Sequence, residues 1–268
     1  MALLLGVSLT NAVAQESEST TVTTTTSGGE VDFFGPFNVN DATPLATGQL
    51  DLRLRYDWTT GRDRPNADDD HVGGVTLLWG PCSNVEVSLD LPVNLGDSGD
   101  MDGGFDGNAD VYLGVMYRFL EDQGDWMPAM AFSATARIPT GDRSSGVDGN
   151  FRLLLTKEYD SGLRSHVNGF VITANGDNEP DTRHFQWGVV IGMDGPLCAD
   201  GAVRWVADYM HRSSVHDHES NGHILEIGTE WTAADNCKLG MAAQIALDHN
   251  GEVPDFGARL NWSYSLMR

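Results

Sequence analysis

Between residue 50 and the last residues of the chain, apolar and polar side chains alternate in segments of about ten, separated by loops rich in Gly, Asp and Asn. Successive side chains on a strand point to opposite faces, so this alternation builds two-sided strands. In the segment 50–58, Leu50, Leu52, Leu54, Tyr56 and Trp58 share one face, and Asp51, Arg53, Arg55 and Asp57 the other. The final segment repeats the arrangement, with Phe256, Ala258, Leu260, Trp262, Tyr264 and Leu266 against Asp255, Arg259, Asn261 and Ser263. Two folds satisfy such strands. A secreted sandwich or lipocalin-like fold hides the apolar face in its core, whereas a membrane barrel turns it to lipid and lines a lumen with the polar face.

Several features favour the barrel. No run of 18 apolar residues exists in the 268, so a closed barrel is the one way this chain could cross a bilayer. About twelve strands are expected, near 48–58, 70–79, 84–95, 108–119, 128–138, 149–159, 162–173, 183–193, 201–211, 222–232, 237–248 and 255–266. Connections after the even strands are compact, while those after the odd strands are mostly longer and acidic. A barrel with both termini in the periplasm sorts its loops this way. The expected fold is therefore all-β, a transmembrane antiparallel up-and-down barrel with short periplasmic turns and longer acidic extracellular loops.

Three regions are expected. Residues 1–14, ending Ala12-Val13-Ala14, resemble the apolar core and cleavage site of a secretory signal; no basic leader precedes it, so the true start would lie upstream. Residues 15–45 form a flexible Ser/Thr-rich arm, and 46–268 the barrel. The part of the arm from 30 to 45, with Phe33, Phe34 and Phe37, would either plug the lumen or lie along the inner rim. A formal charge of −23 argues against nucleic acid as a partner, and none is expected. Cys82, Cys198 and Cys237 are too few for a disulfide scaffold; a Cys198–Cys237 bridge and three free thiols are both compatible with export.

Inward charges are the candidate lumen and selectivity residues: Arg53, Arg55, Arg118, Arg152 and Arg259 as a basic stripe facing Asp90, Glu158, Glu226 and Glu230, with Asp57 beside them. Structural ion pairing is the plainer role for the same side chains. His211, His216, His218 and His223, with Asp217 and Glu219, could hold a divalent transition metal, but no helical spacing fixes them, and a loop without metal is the default. Asp97, Asp100, Asp102, Asp106 and Asp110 lack the closing Glu of an EF-hand and read as a solvated acidic loop. A Ser–His pair at a rim would suit a lipid-modifying enzyme, but His211-Arg212-Ser213 has no identifiable third member, and no enzyme or cofactor is expected.

Four stretches carry a family resemblance: Asn40-Asp41-Ala42-Thr43-Pro44-Leu45 followed by Gly48-Gln49-Leu50, the run from Gly107 to Phe119, Pro128-Ala129-Met130-Ala131, and Arg137-Ile138-Pro139-Thr140-Gly141-Asp142. In their order and spacing the chain resembles, over about 38–268, Gram-negative outer-membrane barrels of the phenol-degradation meta-pathway transporter type. The resemblance implies an outer-membrane channel or transporter for small solutes, hydrophobic or aromatic compounds among them. Its partners would be outer-membrane lipid and lipopolysaccharide, the barrel-assembly machinery and a small-molecule solute, reached by export through the periplasm. Barrels of this kind usually end in an aromatic residue; here the chain ends Tyr264-Ser265-Leu266-Met267-Arg268, so the signal is degenerate or Tyr264 and Leu266 serve. A structural or surface-interaction barrel with a plugged lumen is the alternative function.

Overall fold

Alternation with a period of two is realised as twelve strands in the computed structural model, which describes residues 37–60, 69–97, 110–124, 126–141, 146–173, 183–215, 219–248 and 255–267. The signal-like segment 1–14, most of the Ser/Thr arm, His216, His218 and the acidic stretch 98–109 lie outside these residues. The strands are β1 (Leu50–Thr60), β2 (Asp70–Cys82), β3 (Val85–Asp97), β4 (Val111–Leu120), β5 (Ala129–Ile138), β6 (Asp148–Glu158), β7 (Arg164–Thr173), β8 (Phe185–Pro196), β9 (Val203–Arg212), β10 (Gly222–Ala234), β11 (Cys237–Ala246) and β12 (Phe256–Met267). Each pairs antiparallel with its sequence neighbours, and β12 pairs with β1, closing a barrel. A sandwich is thereby excluded.

The barrel is apolar outside and polar inside. Leu54, Leu113, Ile191, Ile227, Met241 and Leu260 point outward and are 42–61% exposed. Glu86, Asp90, Arg152, Asp208, Glu226 and Arg259 point inward and are buried. A belt of large apolar side chains around the whole girth is what hydrocarbon solvates, and strands of ten to thirteen residues are long enough to span it when tilted. Aromatic girdles mark both ends: Trp79, Tyr117, Phe119 and Trp231 near the short turns, and Trp58, Phe256, Trp187 and Tyr209 near the long loops. The molecule is a transmembrane barrel. Its short connections (83–84, 121–128, 159–163, 197–202, 235–236) share one end with the start of β1 and the end of β12, and the longer ones share the other.

The lumen is filled in part by the chain itself. Residues 37–45, the end of the region read from sequence as an arm, run inside the barrel, with Phe37, Asn38, Val39, Asn40 and Ala42 buried. The segment then turns over the short-turn rim into β1, pinned to β2 by Gly48 N to Gly80 O at 2.7 Å and Gly80 N to Gln49 O at 3.0 Å. Glycine is required where the backbone passes so close: a Cβ on Gly80 would stand 2.3 Å from the Ala46 carbonyl oxygen. Gly228 on β10 makes similar room inside, since a Cβ there would lie 2.5 Å from Phe37 Cε1 and 2.4 Å from the Met241 carbonyl oxygen.

Candidate functional site

An extended segment without a neighbouring strand must satisfy its peptide groups some other way. Here alternate amides donate to side chains that the barrel wall points inward. Asn38 N donates to Glu226 Oε1 at 2.8 Å, Asn40 N to Asn168 Oδ1 at 2.6 Å and Ala42 N to Thr156 Oγ1 at 2.9 Å. Asn168 also donates from Nδ2 to the Asn40 carbonyl at 3.0 Å, so its amide pairs both peptide groups as a ladder partner would. Further along, Leu45 N donates to Glu86 Oε2 at 3.0 Å. Because Glu226 lies in the half of β10 nearer the long loops and Glu86 at the short-turn end of β3, the segment descends obliquely from one wall to the other.

Two charged clusters hold it. In the lower one, Asp41 pairs with Arg164, whose Nε is 3.0 Å from Asp194 Oδ2. Asp194 also accepts from Arg204 Nε at 2.7 Å and lies 2.7 Å from His166 Nε2. If Nε2 carries the proton toward that carboxylate, Nδ1 accepts from Thr156 Oγ1 at 3.0 Å, which in turn accepts the Ala42 amide. In the upper cluster, Arg259 Nε donates to Asp57 at 2.7 Å and Nη1 lies 3.3 Å from Glu226 Oε2. Arg55 Nε is 2.7 Å from the other Asp57 oxygen, and Gln244 Nε2 donates to Glu226 at 2.6 Å. Asn38 reaches into this group, donating to Asp208 Oδ1 at 3.3 Å and accepting from Arg259 at 3.4 Å.

Not all of the lumen is polar. Phe37 and Val39 rest on an inward patch formed by Phe170, Val190, Val206, Met210, Ile224, Ala242 and Ala246. The lumen thus has an apolar wall on β7 to β11, occupied by the Phe37 ring, and a wall carrying Arg55, Asp57 and Asp90 on β1 and β3. On that second wall Thr76 donates to Asp90.

Seven of the sequence-selected lumen residues face this interior. Arg53 lies near Glu86, on the same face as the buried Asp51; Arg55, Asp57, Glu226 and Arg259 form the upper cluster; Asp90 accepts from Thr76; Arg152 stands 5.4 Å over the Phe170 ring. Three others sit toward the short-turn rim. Arg118 bridges the Ser83 carbonyl and Glu121, Glu158 is exposed, and Glu230 pairs with Lys238 at 2.9 Å. At the same rim Asp122 accepts from Lys157 Nζ at 2.6 Å and from the amides of Glu158 and Gly124. The Lys157 bond, with help from those amides, holds its carboxyl at a pKa of about 2.

Asn38, Asn40, Asn168, Thr156, His166 and Asp194 complete the site, and none of them is among the candidate lumen residues chosen from sequence. The alternation Phe37-Asn38-Val39-Asn40 was the available signal for the segment. Nothing local pairs it with β6, β7 or β10.

Of the four histidines weighed for metal, His211 and His223 stand opposite each other in the β9–β10 register, on the outside of the barrel. Ser213 is buried, and its Oγ accepts from Trp187 N at 2.9 Å while His211 turns toward His223. The bridge considered between Cys198 and Cys237 does not form. Both are free thiols, and β9 and β10 lie between the β8–β9 turn and the start of β11, about 10 Å of sheet against a disulfide reach of about 7 Å.

No family model matches the chain, and no curated protein sequence does. Solved structures do match in fold. An outer membrane channel from Pseudomonas putida F1 aligns with a TM-score of 0.67 at 12% identity, covering 86% of this chain and 100% of that one. The KdgM porin in complex with disordered oligogalacturonate aligns at 0.56 and 8% identity, over 81% and 99% of the two chains. The NanC porin gives 0.56 and 10%, over 81% and 100%. At these identities the likeness is one of fold: this chain has the barrel architecture of those porins and channels.

Proposed function

We propose that this protein is an outer-membrane channel for small solutes, exported through the periplasm and inserted by the barrel-assembly machinery, with residues 37–45 as its internal gate. The observation that carries the reading is how the segment is attached. It is held by side-chain hydrogen bonds and ion pairs and joins no strand ladder, so it can leave without breaking the barrel. Once it moves, the charged walls around Arg55, Asp57, Glu226 and Arg259 hydrate and line a path.

The Phe37 ring favours solutes that combine an aromatic or apolar body with a polar group. It occupies the apolar niche at Phe170, Val190 and Val206, opposite the charged wall, so a solute of that chemistry could replace it there. The motif resemblance to phenol-degradation transporters points in the same direction. The same buried packing also favours a second reading, a structural barrel whose lumen stays plugged.

Flux into liposomes separates the two. Refolded protein should admit small aromatic solutes, and Phe37→Ala should admit them several-fold faster by emptying the niche. Absence of flux from both proteins, each with the heat-modifiable gel mobility of a folded barrel, would leave only the plugged structural role.

A further inference from the structure

The outer surface carries a feature that solute passage does not use. His211 is the penultimate residue of β9 and His223 the second of β10, and the two are direct cross-strand partners. Both point outward, since their neighbours Met210, Arg212, Gly222 and Ile224 are buried inside. They lie at the long-loop end of the barrel, at the level where the aromatic girdle meets water.

Their spacing is that of a long hydrogen bond and also that of two ligands on one ion. The rings are 4.7 Å apart between centroids, and the two Nδ1 atoms are 3.4 Å apart. A strong hydrogen bond would draw the nitrogens to about 2.7–3.2 Å, so the one between them is long and readily given up to an ion. Two imidazole ligands at about 2.0–2.1 Å on one tetrahedral ion are instead separated by about 3.4 Å. We propose that His211 and His223 form a cross-strand chelate for a divalent transition metal at the outer rim of the barrel.

Imidazole pairs suit Cu²⁺, Ni²⁺ and Zn²⁺, and the ordinary affinity order places Cu²⁺ first. Among the described residues no group of three His, Cys, Asp or Glu side chains gathers to hold a metal. Among the described residues the chelate is therefore a two-donor site. Tyr209 Oη lies 2.5 Å from the same Nδ1 of His223 and occupies it in the metal-free state, so the ion must displace that bond. Trp187 packs against His211 with centroids 5.1 Å apart, which places an indole reporter beside the site.

The test is titration of the whole, tag-free chain, folded in detergent micelles at about pH 7.5, where free imidazole is neutral. CuCl₂ should quench tryptophan fluorescence saturably and give an electron paramagnetic resonance signal with two nitrogen donors, and ZnCl₂ should compete. His211→Gln and His223→Gln should each weaken Cu²⁺ binding on the order of tenfold or more and abolish the two-nitrogen signal. The double variant His216→Gln/His218→Gln should leave both readouts as in the parent. The proposal fails if the parent shows no saturable binding, if either single variant binds like the parent, or if the loop variant removes the site. Heat-modifiable mobility confirms that each variant is folded, and these outward substitutions leave the lumen contacts intact.

Discussion

At the scale of single residues, Asn168 sets how firmly the internal segment is held. Its amide meets both peptide groups of Asn40, which lies 128 positions away in sequence, and it is itself fully buried. Asn168→Ala removes both bonds without disturbing the β7 ladders, at a cost of about 1–3 kcal/mol for buried peptide groups that lose a partner. A change of that size raises the population with the segment detached by roughly 5- to 150-fold. Open-channel probability in planar bilayers should rise accordingly, and an unchanged probability would show that the Asn40 contact does not limit opening. The residue is unremarkable in sequence, a lone Asn on a strand. Its role comes from what crosses the lumen opposite it, and no spacing within β7 records that. The inward charges were more legible. Asp57, Glu226 and Arg259 stand at polar positions of alternating strands, and period two alone places them inside.

At the scale of elements, the short turns do more than reverse the chain. The β4–β5 turn reaches across to the end of β6 through Asp122, which binds Lys157 and the Glu158 amide. That carboxyl titrates near 2, below the free value of about 3.9, so its tie is fully formed above about pH 4 and is lost as the pH falls through about 2. Proteolysis of the turn should be constant from neutral pH to about 5 and should accelerate as Asp122 protonates. Asp122→Asn should remove that acid dependence, and a carboxyl titration midpoint near the free value would contradict the assignment. The strands themselves were readable because alternation, compact turns and long acidic loops all repeat, and each expected span lies within a few residues of its strand. The inner faces of β8 to β10 were less readable. Val190, Val206 and Ile224 point into the lumen between inward polar residues such as Asp194, Asp208 and Glu226, so alternation alone does not reveal the niche they build.

At the scale of the whole molecule, an apolar exterior fixes the barrel in a membrane, and an interior of opposed charges accepts a segment that is not part of the wall. The closed wall accounts for stability, since every strand has two partners. In the proposed gate the segment supplies control, since its contacts are side-chain contacts that water or solute can replace. That segment was visible in sequence only as the end of an arm, with plug and rim both open, because its partners are spread over β3, β6, β7 and β10. The most direct measurement is single-channel conductance of the full chain beside a variant lacking residues 1–45, both verified as folded barrels by heat-modifiable mobility. The variant should conduct persistently and at a higher level, while the full chain should be closed or open only briefly. Equal conductance from the two would remove the segment from the pathway, and no conductance from the shortened barrel would contradict the channel itself.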